Sequence, residues 1–127
     1  SGFVTAVLAR LAERVISIER YRTLVGNAQR RLDSLGLRNV ILRQADGSNG
    51  LPGEGTFDRI FAASAYPSMP RFFAEQLVSG GMLLVPIMVD AERCIMVRLT
   101  KTGSRFERED LFEVPFLPMQ PKIALHI

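Results

Sequence analysis

The spacing of apolar residues changes along the chain, and this change predicts alternating helices and strands. Residues 3–13 and 21–35 carry apolar side chains at i, i+3, i+4 and i+7, which is typical of amphipathic helices lying on a sheet. Residues 15–18 are a short β-branched run without strict alternation, as in a parallel strand covered on both faces. Residues 39–44 and 57–63 predict the second and third strands. The first half therefore predicts an α/β fold, with Gly36 as a left-handed stop for the second helix.

The second half begins in the same way and then changes to antiparallel chemistry. Residues 69–78 predict a helix, Ser79-Gly80-Gly81 a turn, and residues 82–88 a buried strand. Residues 94–99 and 106–116 predict two strands, joined by a hairpin at residues 101–104. The pattern predicts a doubly wound, Rossmann-like sheet, mostly parallel with an antiparallel C-terminal hairpin, as a single domain over residues 1–127.

Size and composition narrow the class of protein. The 127 residues are 47% hydrophobic, which suffices for one core, yet no apolar run reaches the roughly 18 to 20 residues of a membrane span. The first residues lack the pattern of a secretion signal, so we expect a cytoplasmic location and no membrane partner. Cys94 has no second cysteine to pair with and lies in an apolar run, which indicates a buried strand residue.

The charge pattern disfavours nucleic-acid binding. Net charge is +3, and 14 of the 16 basic residues are Arg, scattered singly or in pairs rather than gathered with aromatic residues. The sequence also shows no spacing typical of a metal cluster or a nucleophile triad. His126 lies beside the carboxyl terminus without an acid or cysteine at catalytic spacing, so we interpret it as a tail residue.

The first twenty residues suggest a site for a cofactor that contains a nucleoside. Ser1-Gly2 precedes a helix, and Glu19 ends the next strand, which is the order by which open α/β sheets hold a ribose. Glu19 is expected to accept both ribose hydroxyls; the structural alternative is an ion pair with Arg20 or Arg22. This order suits a nicotinamide cofactor and a methyl donor equally.

Two later segments follow the ends of other strands. Asp46-Gly47 is placed to bind an adenine amino group, with loop capping by the aspartate as the alternative. Residues 62–67 are mostly small and would allow close approach of a substrate, with Ser64 as a hydrogen-bond donor and Tyr66 as a pocket wall. Packing is the alternative for both side chains.

Six segments taken together resemble the protein-L-isoaspartate O-methyltransferase family. They are Ser-Gly-Phe-x-Thr-Ala-x-Leu-Ala at 1–9, Ser-Ile-Glu-Arg at 17–20, Ala-Asp-Gly-Ser at 45–48, Phe-Asp-Arg-Ile at 57–60, Glu-Gln-Leu-x-x-Gly-Gly at 75–81 and Phe-Glu-Arg-Glu-Asp-Leu at 106–111. Phe-Leu-Pro-Met at 116–119 stands where the family has Phe-Val-Pro-Leu. The resemblance covers nearly the whole chain.

The resemblance implies a function, a cofactor and a set of site residues. The family uses S-adenosyl-L-methionine to esterify isoaspartyl carboxylates in peptides and aged proteins, which starts their repair. The implied cofactor-binding residues are Ser1, Gly2, Phe3, Glu19, Arg20, Asp46 and Gly47. The implied substrate-pocket residues are Ser64, Ala65, Tyr66, Phe116 and Leu117, and no residue is assigned as catalytic.

The chain also departs from the family pattern. The family's Thr-Ala-Ala-Ala-Pro is replaced at residues 63–67 by Ala-Ser-Ala-Tyr-Pro, which loses the threonine hydroxyl at position 63 and adds the ring of Tyr66. Pro115 stands where the family has Arg. These changes leave open a catalytically inactive or differently specific protein, and a nicotinamide-dependent oxidoreductase is a further alternative. The family's first glycine and a central strand lie before Ser1, so we expect a larger parent polypeptide, and instability or self-association of these 127 residues alone.

Overall fold

The computed structural model describes residues 1–115 and 117–124, which form mixed α/β structure. The elements in chain order are α1 (Phe3–Leu11), β1 (Val15–Glu19), α2 (Arg22–Ser34), β2 (Val40–Gln44), a 3-10 turn (Gly47–Asn49), β3 (Phe57–Phe61), α3 (Phe73–Gln76), β4 (Leu77–Met88), β5 (Cys94–Thr102) and β6 (Arg105–Val114). They group into two compact units, residues 1–47 with the described residues from Pro121 onward, and residues 48–120. The single-domain interpretation stays a prediction.

The first unit is a two-stranded parallel sheet with two helices. β1 pairs with β2 in register from Val15 opposite Val40 to Glu19 opposite Gln44. The two strands are parallel because α2 carries the chain back between them, as a crossover helix must. Leu32 and Ala28 are the buried residues of α2, at helical spacing, and confirm the predicted apolar face.

Side-chain hydrogen bonds fix the direction of α1 against this sheet. Near the carboxyl end of α1, Asn39 Nδ2 donates to the Ala9 and Ala12 carbonyls at 2.7 and 2.9 Å, just before β2 begins. Near the amino end, Thr5 Oγ1 donates to Ser17 Oγ at 3.0 Å, two residues before the end of β1. The helix therefore runs antiparallel to the strands, with its amino end at their carboxyl edge.

The second unit is a four-stranded sheet in the order β3-β4-β5-β6. β3 and β4 are parallel, whereas β4-β5 and β5-β6 are antiparallel, so the predicted C-terminal hairpin is confirmed. Its loop is Gly103-Ser104, with Gly103 at φ +61°. Leu83, Val85, Val97 and Leu99 are among the buried side chains at the centre of this sheet.

The predicted helix over residues 69–78 is wrong in length. Only Phe73–Gln76 is α-helical, and the turn before it has i to i+3 hydrogen bonds such as Ala74 N–H to the Arg71 carbonyl at 3.0 Å. Leu77 is already extended and pairs with Phe57, so sheet pairing ends the helix. The predicted turn at residues 79–81 lies inside β4, at an irregularity in its pairing with β3.

The connection from β4 to β5 is fastened by one exposed aspartate. Asp90 accepts the Glu92 and Arg93 N–H groups at 2.9 Å each, and its other oxygen accepts from Arg93 Nε at 2.9 Å. The hydrogen bond from Glu92 N–H is the main cause that lowers the pKa of the Asp90 carboxyl from its usual value, and the Arg93 guanidinium lowers it further.

Within the described residues, no helix has the length and apolar character needed to cross a membrane.

Candidate cofactor and substrate sites

Glu19 lies at the carboxyl end of β1, half-buried. Its Oε1 accepts the Tyr21 N–H at 3.0 Å, and its main-chain carbonyl accepts the Ala45 N–H at 3.1 Å. In the described part of the chain its carboxylate forms no ion pair with Arg20 or Arg22 and no second hydrogen bond. The alternative of a surface ion pair is therefore not what the structure shows, and the second carboxylate oxygen has no hydrogen-bond partner among the described residues.

Asp46 and Gly47 lie next to the same strand end. Gly47 packs so closely on Ile18, the residue before Glu19, that a Cβ at position 47 would come within 3.1 Å of Ile18 Cδ1. Asp46 Oδ2 accepts the Lys122 N–H at 2.7 Å. The structure thus brings Glu19 and the Asp46-Gly47 pair together at one edge of the sheet, as the carboxyl ends of adjacent parallel strands require.

The amino end of α1 completes this edge. Gly2 caps the helix in the left-handed region at φ +85°, a conformation that favours glycine. A Cβ at Gly2 would come within 3.1 Å of Ala28 Cβ, so the close approach that glycine allows is, in this structure, to α2. Ser1 accepts a hydrogen bond from Arg31 through its carbonyl at 3.2 Å, and Phe3 is 73% exposed.

Arg20 binds the C-terminal segment of the chain. Its Nε donates to the Lys122 carbonyl at 3.0 Å, and its guanidinium lies 4.9 Å from the centre of the Tyr21 ring. Ala124 N–H donates to the Arg20 carbonyl at 3.0 Å, so residues 122–124 run along the same sheet edge. Lys122 has φ +70°, an uncommon conformation for a residue with a side chain, and such strain concentrates at functional sites.

The predicted substrate residues lie in the second unit, and two of them meet through the main chain. Ala65 N–H donates to the Leu117 carbonyl at 2.6 Å, and Met119 N–H donates to the Ala65 carbonyl at 2.9 Å. Leu117 is exposed and Ser64 half-buried. Two segments far apart in sequence therefore form one backbone bridge. Phe116 and His126 lie outside the described residues.

Tyr66 belongs to the hydrophobic core of this unit. It is 6% exposed, and its ring lies 6.1 Å from that of Phe72 and 5.9 Å from that of Phe73. Its N–H donates to the Pro86 carbonyl and its carbonyl accepts from Met88 N–H, both at 2.9 Å. The packing alternative for this side chain is what the structure shows, and its role as a pocket wall stays a prediction.

A family model for protein-L-isoaspartate(D-aspartate) O-methyltransferase matches residues 1–124. The chain belongs to this family. Two curated relatives named protein-L-isoaspartate O-methyltransferase are similar along 98% of the chain: one from Rhizobium meliloti (strain 1021) at 60% identity and one from Parvibaculum lavamentivorans at 42%. The chain spans 61% and 57% of their respective lengths.

Solved structures support the fold. One described as a protein-L-isoaspartate O-methyltransferase matches 87% of this chain and 35% of its own length, with a TM-score of 0.76 at 27% identity. Another, assigned to the same enzyme class, comes from Plasmodium falciparum in complex with S-adenosyl-L-homocysteine; it matches 84% of this chain and 52% of its own, with a TM-score of 0.71 at 22% identity. The predicted Rossmann-like methyltransferase fold is confirmed.

Sequence reasoning missed one buried polar residue, Gln76. It is 6% exposed in α3 and hydrogen-bonds the loop that follows Asp46-Gly47. A signal was present, because Gln76 is a polar residue between the apolar Phe73 and Leu77 in a segment that carried the family resemblance.

In residues 1–115 and 117–124 no group of three His, Cys, Asp or Glu side chains is arranged to hold a metal.

Proposed function

We propose that the protein transfers a methyl group from S-adenosyl-L-methionine to the carboxylate of L-isoaspartyl (D-aspartyl) residues in damaged proteins. Family membership supports the reaction, and the observation that carries the cofactor assignment is the Glu19 carboxylate, one oxygen of which has no hydrogen-bond partner among the described residues, beside Asp46-Gly47. Because the chain spans about three fifths of its relatives, the activity is proposed for the whole protein. The cytoplasmic location also stays a prediction.

The residues of the first unit fit the nucleoside part of such a cofactor. The Glu19 carboxylate would accept hydrogen bonds from the ribose hydroxyls, and Asp46 with Gly47 would hold the adenine. Ser1, Gly2 and Phe3, at the amino end of α1, would face the methionine part, where the positive end of the helix dipole favours a carboxylate. Arg20 would act from the same edge by holding residues 122–124.

The chemistry needs mainly placement from the protein. When bound, S-adenosyl-L-methionine supplies a methyl group already activated by a sulfonium. The acceptor carboxylate is ionised at neutral pH, so no side chain has to remove a proton. The chain's contribution is alignment and exclusion of water, and charge is neutralised as the methyl group moves. The bridge between Ala65 and Leu117 would hold the peptide acceptor.

A differently specific or inactive member of the family is the second candidate. The altered segment at residues 63–67 favours it, because Ala63 lacks the hydroxyl that the family's threonine has at this position. The added ring of Tyr66 gives it less support, since that ring is buried in the core. The nicotinamide alternative is disfavoured by family membership and by the antiparallel β5-β6 hairpin.

Transfer of labelled methyl by the intact protein tests the proposal. We expect label on an isoaspartyl peptide and none above background on the otherwise identical aspartyl peptide. In the isoaspartyl residue the main chain continues through the β-carboxyl and the α-carboxylate is free, whereas in the aspartyl residue the β-carboxylate is free. Labelling of neither peptide would favour an inactive protein, and labelling of both would favour another acceptor. Calorimetry tests the oxidoreductase alternative. Binding of S-adenosyl-L-homocysteine but not of NAD would support methyl transfer and exclude a nicotinamide-dependent enzyme.

A further inference from the structure

Gln76 uses both ends of its carboxamide to hold one loop. Its Nε2 donates to the Asn49 carbonyl at 2.9 Å, and its Oε1 accepts the Leu51 N–H at 2.9 Å. The side chain is almost completely buried. A buried amide paired in both directions fixes its partners more firmly than an exposed one, because neither hydrogen bond can be replaced by water without opening the structure.

The loop is shaped to fit this side chain. Gly50, between the two bonded residues, has φ +65°, and a Cβ at this position would overlap the Oε1 of Gln76. Glycine is therefore required at position 50 by both its conformation and the space that the carboxamide takes.

The helix that carries Gln76 is anchored in turn. α3 has only four residues, too few to be stable by itself. Lys101 of β5 donates from Nζ to the Ala74 and Leu77 carbonyls at 2.6 and 2.9 Å, on either side of Gln76. A cation at the carboxyl end of the helix also interacts favourably with its dipole.

The loop held by Gln76 directly follows Asp46 and Gly47, the two residues proposed to hold the adenine. At its start, Ala45 N–H donates to the Glu19 carbonyl, and Gly47 packs on Ile18. Between these contacts and the two bonds of Gln76 there is little free chain, because the 3-10 turn takes up Gly47–Asn49. From this arrangement we propose that Gln76 is a positioning residue for cofactor binding, which fixes the far end of the segment carrying Asp46 and Gly47. The inference rests on the proposed function.

The test compares S-adenosyl-L-homocysteine binding and amide hydrogen exchange in the intact protein and in Gln76→Ala. We expect the dissociation constant to rise roughly tenfold, as loss of two buried hydrogen bonds would give if the loop must be reordered on binding. Exchange of the Leu51 amide should speed up, while amides of the β4-β5 ladder keep their protection. The KM for an isoaspartyl peptide should stay within about twofold, because the proposed acceptor residues lie at 64–66 and 116–117 and not in this loop.

Two further variants and one control make the result specific. Gln76→Glu keeps the acceptor for Leu51 N–H but sets an oxygen against the Asn49 carbonyl. Its affinity for S-adenosyl-L-homocysteine should therefore fall between those of the unaltered protein and Gln76→Ala. Gly50→Ala disturbs the same contact from the loop side and should weaken binding even if Gln76→Ala does not fold. Val97→Ala removes buried volume in β5 without touching the loop and should leave the dissociation constant unchanged.

The outcomes distinguish failure of the proposed function from failure of the role proposed for Gln76 alone. Failure of the unaltered protein to bind S-adenosyl-L-homocysteine would overturn the proposed function and this inference with it. Binding by the unaltered protein, with equal affinity in Gln76→Ala despite faster Leu51 exchange, would overturn only the inference and leave Gln76 with a structural role. An equal loss in Val97→Ala would do the same.

Discussion

Replacing Glu19 by alanine is expected to raise the dissociation constant for S-adenosyl-L-homocysteine about a hundredfold. Two hydrogen bonds from ribose hydroxyls to one carboxylate, at about 1.5 kcal/mol or more each, give about 3 kcal/mol, which is slightly more than a hundredfold in affinity. The bond that Glu19 accepts from Tyr21 N–H is only part-buried, and Tyr21 is a half-buried residue, so the fold should be retained in the variant. Titration calorimetry measures the change.

Controls separate the ribose contact from a general effect of charge. Glu19→Gln keeps the shape and one acceptor oxygen but loses the charge, so it should bind with intermediate affinity. Glu13→Ala removes an exposed carboxylate from the connection between α1 and β1 and should bind like the unaltered protein. Equal affinity in Glu19→Ala and Glu13→Ala would mean that Glu19 does not hold the cofactor.

A polypeptide of only these 127 residues is expected to self-associate. β1 and β3 each have a strand neighbour on one side within the described residues, and their sequences, Val-Ile-Ser-Ile-Glu and Phe-Asp-Arg-Ile-Phe, are mainly apolar. β6, at the other edge of its sheet, carries six charged residues in ten. Charge protects an edge from pairing with another chain, and this protection is weaker on β1, with one charged residue in five, and on β3, with two in five. Sedimentation equilibrium should show a mass above 14.2 kDa that rises with concentration.

A pair of lysine substitutions tests which edge is responsible. Phe61→Lys places a charge on β3, where the phenyl ring is 39% exposed, and should shift the mass toward the monomer. Phe112→Lys makes the same change on β6, where the ring is 60% exposed, and should have little effect because that edge is already charged. A monomeric chain that melts cooperatively would contradict this account.

The parts of the fold that sequence predicted well are those where local and global preferences agree. The 3.6-residue spacing around Leu32 and the left-handed Gly36 located α2 to within one residue of its observed ends. The short runs ending at Glu19 and Gln44 gave two parallel strands. The Gly103-Ser104 loop gave the hairpin because few other residues adopt the required backbone conformation.

The failures lie where tertiary pairing overrides local spacing. The apolar residues at positions 72, 73 and 77 have the spacing of a helical face. Leu77 is nevertheless in β4, where it pairs with Phe57 of β3. Tyr66 follows a strand end, where a site residue is expected, but it packs in the core with Phe72 and Phe73. Gln76 holds its loop through hydrogen bonds to Leu51 and Asn49, which lie 25 and 27 residues away in the sequence. No spacing of residue types along the chain indicates such distant pairs.

The most direct test of the account is a crystal structure of the intact protein with S-adenosyl-L-homocysteine. We predict both ribose hydroxyls within about 3 Å of the Glu19 carboxylate oxygens, with the adenine beside Asp46 and Gly47. A ligand bound elsewhere, with Glu19 still bonded only to the Tyr21 amide, would contradict the assignment of this sheet edge as the cofactor site.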